Sequence, residues 1–200
     1  MSEIKLFDKW DTEGIAVEDM GLKRYVNLKP IIVPRSFGRS SGKQFHKSQM
    51  HIVERLMNRM FVAGHRGKKH RITSGMNVGK TLAVTDIIVD CFDILEKKAG
   101  KNPVEVFVRA VENSAVREEV TSFQVGGIIV RKAVITSPQR RVDLALRYIT
   151  QGSYQKAFKS PKKMAVCLAE ELLAAFNGDS QNSFAMKAKE RMEREASGAR

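Results

Sequence analysis

Hydrophobic and polar positions follow two different rhythms along this chain, and its first stretch follows neither. Residues 1–46 show no sustained period and carry Pro30, Pro34, Gly38 and Gly42, which predicts an irregular, extended arm. From Ser48 to about Ala63 the spacing turns helical, with Val53, Leu56, Met57, Met60 and Phe61 at i, i+3, i+4, i+7 and i+8. Ser48 is the expected cap of that helix. On its opposite side His51, Arg55 and Arg59 align at steps of four, which reads as a basic stripe on a rigid rod.

A second helix is expected over about 79–99, with Val84, Ile88, Cys91, Phe92 and Leu95 inward and Gly100 just past its end. Three later starts share one grammar, a capping side chain followed by proline at the first helical position: Asn102-Pro103, Ser137-Pro138 and Ser160-Pro161. The helices they open turn Val104, Phe107, Val108 and Val111, then Val142, Ala145, Leu146 and Ile149, then Met164, Leu168, Leu172 and Phe176 toward a core. A last helix, about 183–197, is weakly amphipathic and mostly charged, and would be marginal on its own.

One segment keeps the period of a strand. Glu119–Val125 and Ile128–Ile135 are rich in β-branched residues and flank Gly126-Gly127, whose tolerance of positive φ signals a hairpin. A two-residue turn sets Val125 opposite Ile128, Phe123 opposite Val130, Thr121 opposite Lys132, Gln124 opposite Ile129 and Ser122 opposite Arg131. The tip is then apolar and the stem basic. Such a tip either packs on the helices or inserts into a partner, since exposed apolar tips are rare in free domains. The expected fold class is mainly α, a helical bundle with one protruding β-hairpin.

Composition narrows the function. The chain has 200 residues, 42% of them hydrophobic, enough for one packed domain of residues 47–200 behind an N-terminal extension of residues 1–46. It carries a formal charge of +13. Between residues 31 and 71 ten basic residues (Arg35, Arg39, Lys43, Lys47, Arg55, Arg59, Arg66, Lys68, Lys69 and Arg71) face Glu54 alone, and all four histidines lie there too. A merely solubilising surface would intersperse both signs. Concentration in one block is the footprint of a polyanion such as nucleic acid. No apolar run of about 18 residues exists to cross a membrane. The start, Met1-Ser2-Glu3, has neither the apolar run of a signal peptide nor an Arg-rich transit pattern, so a cytoplasmic location is expected. Cys91 and Cys167 fall on apolar helical stripes and read as core thiols.

Enzymatic chemistry finds little support. Gly75-Met-Asn-Val-Gly79-Lys80-Thr81 has three residues between its glycines where a phosphate-binding loop needs four, and a basic run precedes it where a buried strand should. Ile87-Ile88-Val89-Asp90 mimics a magnesium-holding strand but continues a helix. At that helix start Lys80 could still meet an RNA phosphate. The pairs His46/His51 and His65/His70 lack a third ligand, so neither metal nor cofactor is expected.

Four blocks carry a family likeness: Ile52-Val-Glu-Arg-Leu-Met-Asn-Arg-Met60 leading to Gly67-Lys68-Lys69; Asn102-Pro-Val-Glu-Val-Phe-Val-Arg-Ala-Val-Glu-Asn113; Arg117-Glu-Glu-Val-Thr121 through Gly126-Gly127 to Ser137-Pro-Gln-Arg-Arg-Val142; and Ala165-Val-Cys-Leu-Ala-Glu-Glu-Leu172 with Asn182-Ser-Phe-Ala-Met-Lys-Ala-Lys189. In these the chain resembles the small-subunit ribosomal protein seven family, in its archaeal and eukaryotic branch, from about residue 45 onward. Leu6-Phe7-Asp8-Lys9-Trp10 and the piece from Pro34 to Arg39 resemble the branch-specific extension. One departure stands out: bacterial relatives end in an aromatic-rich tail, whereas Ala199-Arg200 close this sequence.

The resemblance implies a six-helix bundle with its hairpin between the third and fourth helices. It also implies binding to the 3′ major domain of small-subunit rRNA, nucleation of head assembly, and a hairpin near exit-site tRNA and mRNA among neighbouring ribosomal proteins. On that basis Arg35, Arg39 and Lys43 are expected to thread into rRNA from the arm and to order on binding. Arg55 and Arg59 would lie along a backbone groove, and Arg66, Lys68, Lys69 and Arg71 would clamp phosphates with Lys80 behind them. Arg131, Lys132, Arg140 and Arg141 would line the hairpin base, and Lys159, Lys162 and Lys163 would form a further rRNA contact. Gly126 and Gly127 form the turn near the tRNA. Two rivals are a helix-plus-wing DNA-binding protein, which would need a compact recognition helix, and a P-loop enzyme.

Overall fold

A helix that is apolar on every side has to sit in the middle of its domain. The segment Met164–Phe176 is such a helix, with Glu170 and Glu171 as its only charges. In the computed structural model, which describes residues 4–64 and 77–200, it is the hub of the bundle. Six α-helices form among the described residues: α1 (Ile52–Met60), α2 (Thr81–Ala99), α3 (Pro103–Ser114), α4 (Pro138–Ala157), α5 (Met164–Phe176) and α6 (Phe184–Ser197). Helices α2, α3, α4 and α6 all touch α5. Its buried Ala165, Ala169 and Ala175 let those neighbours approach closely, and Leu168 and Leu172 fill the space between them.

Between α3 and α4 the chain folds into an antiparallel pair, β1 (Glu118–Val125) and β2 (Ile128–Ile135). All five cross-strand pairs expected from the sequence are present, from Val125 opposite Ile128 back to Thr121 opposite Lys132. Gly126 (φ 55°) and Gly127 (φ 87°) both occupy the left-handed region that a two-residue turn requires. The open question at the tip is answered: it does not pack on the helices, since Ile128 and Ile129 are 71% and 70% exposed. Only the base is held. Ala133 donates its N–H to the Ala199 carbonyl, the Arg117 N–H donates to Glu193, and Arg200 pairs with Glu118 at 2.5 Å.

Helix boundaries show where the local grammar holds and where it fails. Asn102 caps α3 through its side-chain oxygen, which accepts from the Val104 N–H at 3.0 Å, and Gly100 closes α2 in the left-handed conformation. The five apolar positions expected inward on α2 are all buried. Three starts need correction. Helix α1 begins at Ile52, not Ser48: residues 46–49 form a short 3-10 turn, and His51 is the cap, its Nδ1 accepting from the Val53 N–H. Ser48 instead donates its hydroxyl to the Phe45 carbonyl. Helix α5 begins at Met164, not after Pro161, and Ser137 precedes α4 without bonding its end through the side chain.

Among the described residues the N-terminal segment has no helix from residue 4 to 38, yet it docks firmly. Leu6, Trp10, Leu22 and Val26 are core residues. The Trp10 ring meets Phe92 edge-on at 5.4 Å, and its indole N–H donates to Glu96 at 3.0 Å. Asp19 pairs with Arg141 at 2.6 Å and Glu18 with Arg109 at 2.8 Å, so acidic residues of this segment meet cations of the chain's own bundle.

Candidate nucleic-acid interface

The basic block does not spread evenly over the folded surface. Its arm runs beside α1 and reaches the first three turns of α4, and there the three elements enclose an open cleft of about 600 Å³. Lys43, Lys47, Arg59, Arg140 and Arg147 line it. Among the described residues Asp143 is the one carboxylate in its wall, and it is already engaged by Lys47 and, at 3.0 Å, by Arg55. Burial alone would raise the Asp143 carboxyl, but the Lys47 hydrogen bond and the Arg55 charge outweigh it and hold the group below its ordinary range.

Arg59 and Arg147 make no ion pair among the described residues. Burial and the positive charge of Arg147 both oppose the charge on Arg59 and lower its pKa, while Asp143 offsets this in part. The Nε of Arg147 is buried without a hydrogen-bond partner. Two under-neutralised guanidinium groups lining one cleft have the chemistry to take up an anion such as a phosphate: each is a planar fork of N–H donors.

Other expected residues fall into different situations. Arg55 is a correction. It is buried, donating to the Tyr25 carbonyl at 2.8 Å as well as to Asp143, so the imagined exposed stripe of His51, Arg55 and Arg59 survives only at Arg59. His51 is buried too, and the loss of hydration lowers its pKa to about 4. Arg141 turns inward to Asp19. Arg140 is half exposed and forks onto Glu119 with contacts of 2.7 and 2.8 Å, and that hydrogen bonding raises its pKa. Lys162 is exposed and bonded to Glu170.

Lys43 and Arg39 are exposed on the arm, and Lys80 is exposed at the start of α2. Arg35 is partly buried at a second, more apolar cleft with Phe37, Met57 and Phe61. Arg131 and Lys132 stand exposed on β2. Lys159, exposed and in the left-handed region at φ 56°, places its ammonium over the Phe158 ring at 5.8 Å, with Lys163 nearby in sequence before α5. Arg66, Lys68, Lys69 and Arg71 lie outside the described residues.

Arg147 is a cleft residue that the sequence reading did not single out. Its signal was present but faint: it lies seven residues after Arg140, two helical turns along the same face of α4. Among the described residues no group of three His, Cys, Asp or Glu side chains could hold a metal ion. No helix among them is long and apolar enough to cross a membrane.

Comparison with known proteins agrees with the likeness seen in the sequence and extends it upstream. The family model described as "Ribosomal protein S7p/S5e" matches residues 22–200. A small ribosomal subunit protein uS7 from Nanoarchaeum equitans is 45% identical over 198 residues, covering 99% of this chain and 100% of the relative. The proteins of the same name from Methanococcoides burtonii and Methanosphaera stadtmanae are each 47% identical, over 98% of this chain and 99% and 98% of their own lengths. The likeness therefore includes the N-terminal segment that packs on the core.

Proposed function

Since this chain belongs to the ribosomal protein S7p/S5e family, we propose that it is a structural constituent of the small ribosomal subunit that binds the 3′ major domain of its rRNA and nucleates assembly of the head. The observation that carries this reading is the cleft where Lys43, Arg59, Arg140 and Arg147 converge and, among the described residues, the single wall carboxylate is already paired. An rRNA backbone supplies a repeating anion that such a surface lacks. Residues 47–200 act as the rRNA-binding domain, with residues 1–46 as its extension. Arg39 and Lys43 contact phosphate from the arm, Lys80 from the start of α2, and Arg66, Lys68, Lys69 and Arg71 from the intervening loop. Lys159 and Lys163 serve a separate contact at the far end of α4.

The hairpin, turning at Gly126-Gly127, carries its apolar tip away from the bundle toward exit-site tRNA and mRNA, beside neighbouring small-subunit proteins. The protein works in the cytoplasm, within the ribosome, and performs no chemistry of its own. Membership of a ribosomal protein family favours RNA over the duplex-DNA alternative.

A salt titration of binding to a 3′ major domain rRNA fragment, with duplex DNA of equal charge as competitor, tests the reading. The expected result is preference for rRNA by at least about a hundredfold, with log K falling linearly in log salt. Equal competition by DNA at every salt concentration would reduce the basic face to a nonspecific polyanion surface.

A further inference from the structure

We propose that the cleft between the arm, α1 and α4 receives one unstacked ribonucleotide, its base against Phe45 and its phosphate between Arg59 and Arg147. The inference rests on the rRNA-binding reading and sharpens it from a charged face to a nucleotide site.

Phe45 carries the argument. Phe45 lines the cleft, and the residue is 66% exposed. Its backbone adopts φ 65°, the left-handed region that non-glycine residues rarely enter. The conformation is held by Ser48, whose hydroxyl and N–H both donate to the Phe45 carbonyl at 2.8 and 3.2 Å. These bonds hold the backbone on either side of the turn, so Phe45 already presents its side chain on the surface before any partner arrives. Solvent gives no reason to maintain such a pose, whereas a stacking partner does, because every base presents an apolar face to an aromatic ring.

The polar lining fits the rest of a nucleotide. Arg59 and Arg147 repel one another within the cleft and make no ion pair among the described residues, so a phosphate relieves both. Gln139, only 8% exposed, lines the same cleft with its amide oxygen buried and unbonded. A bare phosphate offers that acceptor nothing; a ribose 2′-hydroxyl or a base amino group offers a donor. The volume, about 600 Å³, exceeds what one phosphate fills and suits a nucleotide-sized guest.

The test uses the full chain and the 3′ major domain rRNA fragment, with a fully paired RNA duplex of similar length as the control. Phe45→Leu keeps the charge and leaves thermal unfolding unchanged, the ring being exposed. It should weaken binding to the fragment by about tenfold without changing the salt slope, and leave duplex binding alone. Dimethyl sulfate probing should show one unpaired base that is protected by the wild type and exposed with Phe45→Leu, and Phe45→Trp should restore the protection. Fragment affinity within twofold of wild type would overturn the proposal while leaving the rRNA reading intact. So would an affinity loss without a localised change in protection, which would put a protein segment on Phe45. Failure of the rRNA reading looks different: the wild type itself would bind the fragment no better than duplex DNA.

Discussion

The carboxyl of Glu171 lies so close to the backbone of Gly152 that a side chain at that position would meet it. A Cβ added at Gly152 would stand 3.0 Å from Glu171 Cδ and 2.7 Å from the Cβ of Phe184, which cannot swing aside without moving α6. Glycine inside a helix normally costs about 0.5–1 kcal/mol relative to alanine. Here the sign reverses. Gly152→Ala should destabilise the fold by about 1–3 kcal/mol, as overpacking does, and a urea unfolding midpoint will show it.

That close approach lets Glu171 tie three helices together. The buried carboxylate accepts from Ser183 Oγ at 2.8 Å, from the Ala185 N–H at 3.1 Å and from Lys156 Nζ at 2.6 Å. Glu171→Ala removes the shared acceptor and leaves the Ala185 N–H without its partner, although Ser183 Oγ still caps α6 through the Met186 N–H. A loss of about 2–4 kcal/mol is expected, with Lys156, a third exposed, free to rehydrate. Thermal unfolding followed by circular dichroism measures it, and a loss below about 0.5 kcal/mol would exclude this tie as a source of stability.

His51 makes stability depend on pH well above the carboxylate range. Folded, its pKa is lowered to about 4 by burial; unfolded it returns to about 6.5. Below pH 6.5 the unfolded chain binds a proton that the folded chain refuses, so stability falls as pH falls from 6.5 to about 4. The total is about 3 kcal/mol. Protonation also destroys the cap, because Nδ1 can no longer accept from Val53. His51→Asn keeps a capping acceptor and should flatten the stability profile across that interval; an unchanged slope would place the titration elsewhere.

Arg55 and Arg59 are one helical turn apart and should respond oppositely. Arg55→Gln strips Asp143 of a buried partner and should cost about 2–4 kcal/mol of stability, with the salt slope of rRNA binding unaltered. Arg59→Gln should leave unfolding nearly unchanged and lower the salt slope by about one unit. Paired unfolding and binding titrations on both variants decide it.

Replacing Ile128 and Ile129 by threonine should change stability by less than about 0.5 kcal/mol, because both are already exposed. Binding to the rRNA fragment should stay within about twofold, corresponding to less than 0.5 kcal/mol. A drop in fragment affinity would bring the tip into the primary rRNA contact.

The contrast between those two arginines explains what the sequence could and could not disclose. Local rules served the hairpin register and the inward face of α2, because period two and the 3.6-residue turn are set within a few residues. They could not separate Arg55 from Arg59, since the deciding carboxylate, Asp143, is 88 residues away from Arg55. Ser48 and Ser160 each have the chemistry of a cap, but the helices start where tertiary packing begins, at Ile52 and Met164. Leu6, Trp10, Leu22 and Val26 lacked a period to announce them, because an irregular segment buries side chains wherever its path meets the bundle. Phe45 was invisible for a related reason: no propensity scale foresees a left-handed phenylalanine.

The hairpin is anchored at one end by Arg200, Ala199 and Glu193 and free at the other. Mechanically it is a cantilever. Eight residues per strand give an arm of roughly 26 Å, so a tilt of about 5° at the anchored end displaces the turn by roughly 2 Å over that length. Small adjustments of α6 are therefore magnified at the tip, entering the lever through the contacts of Glu193, Ala199 and Arg200 with its base.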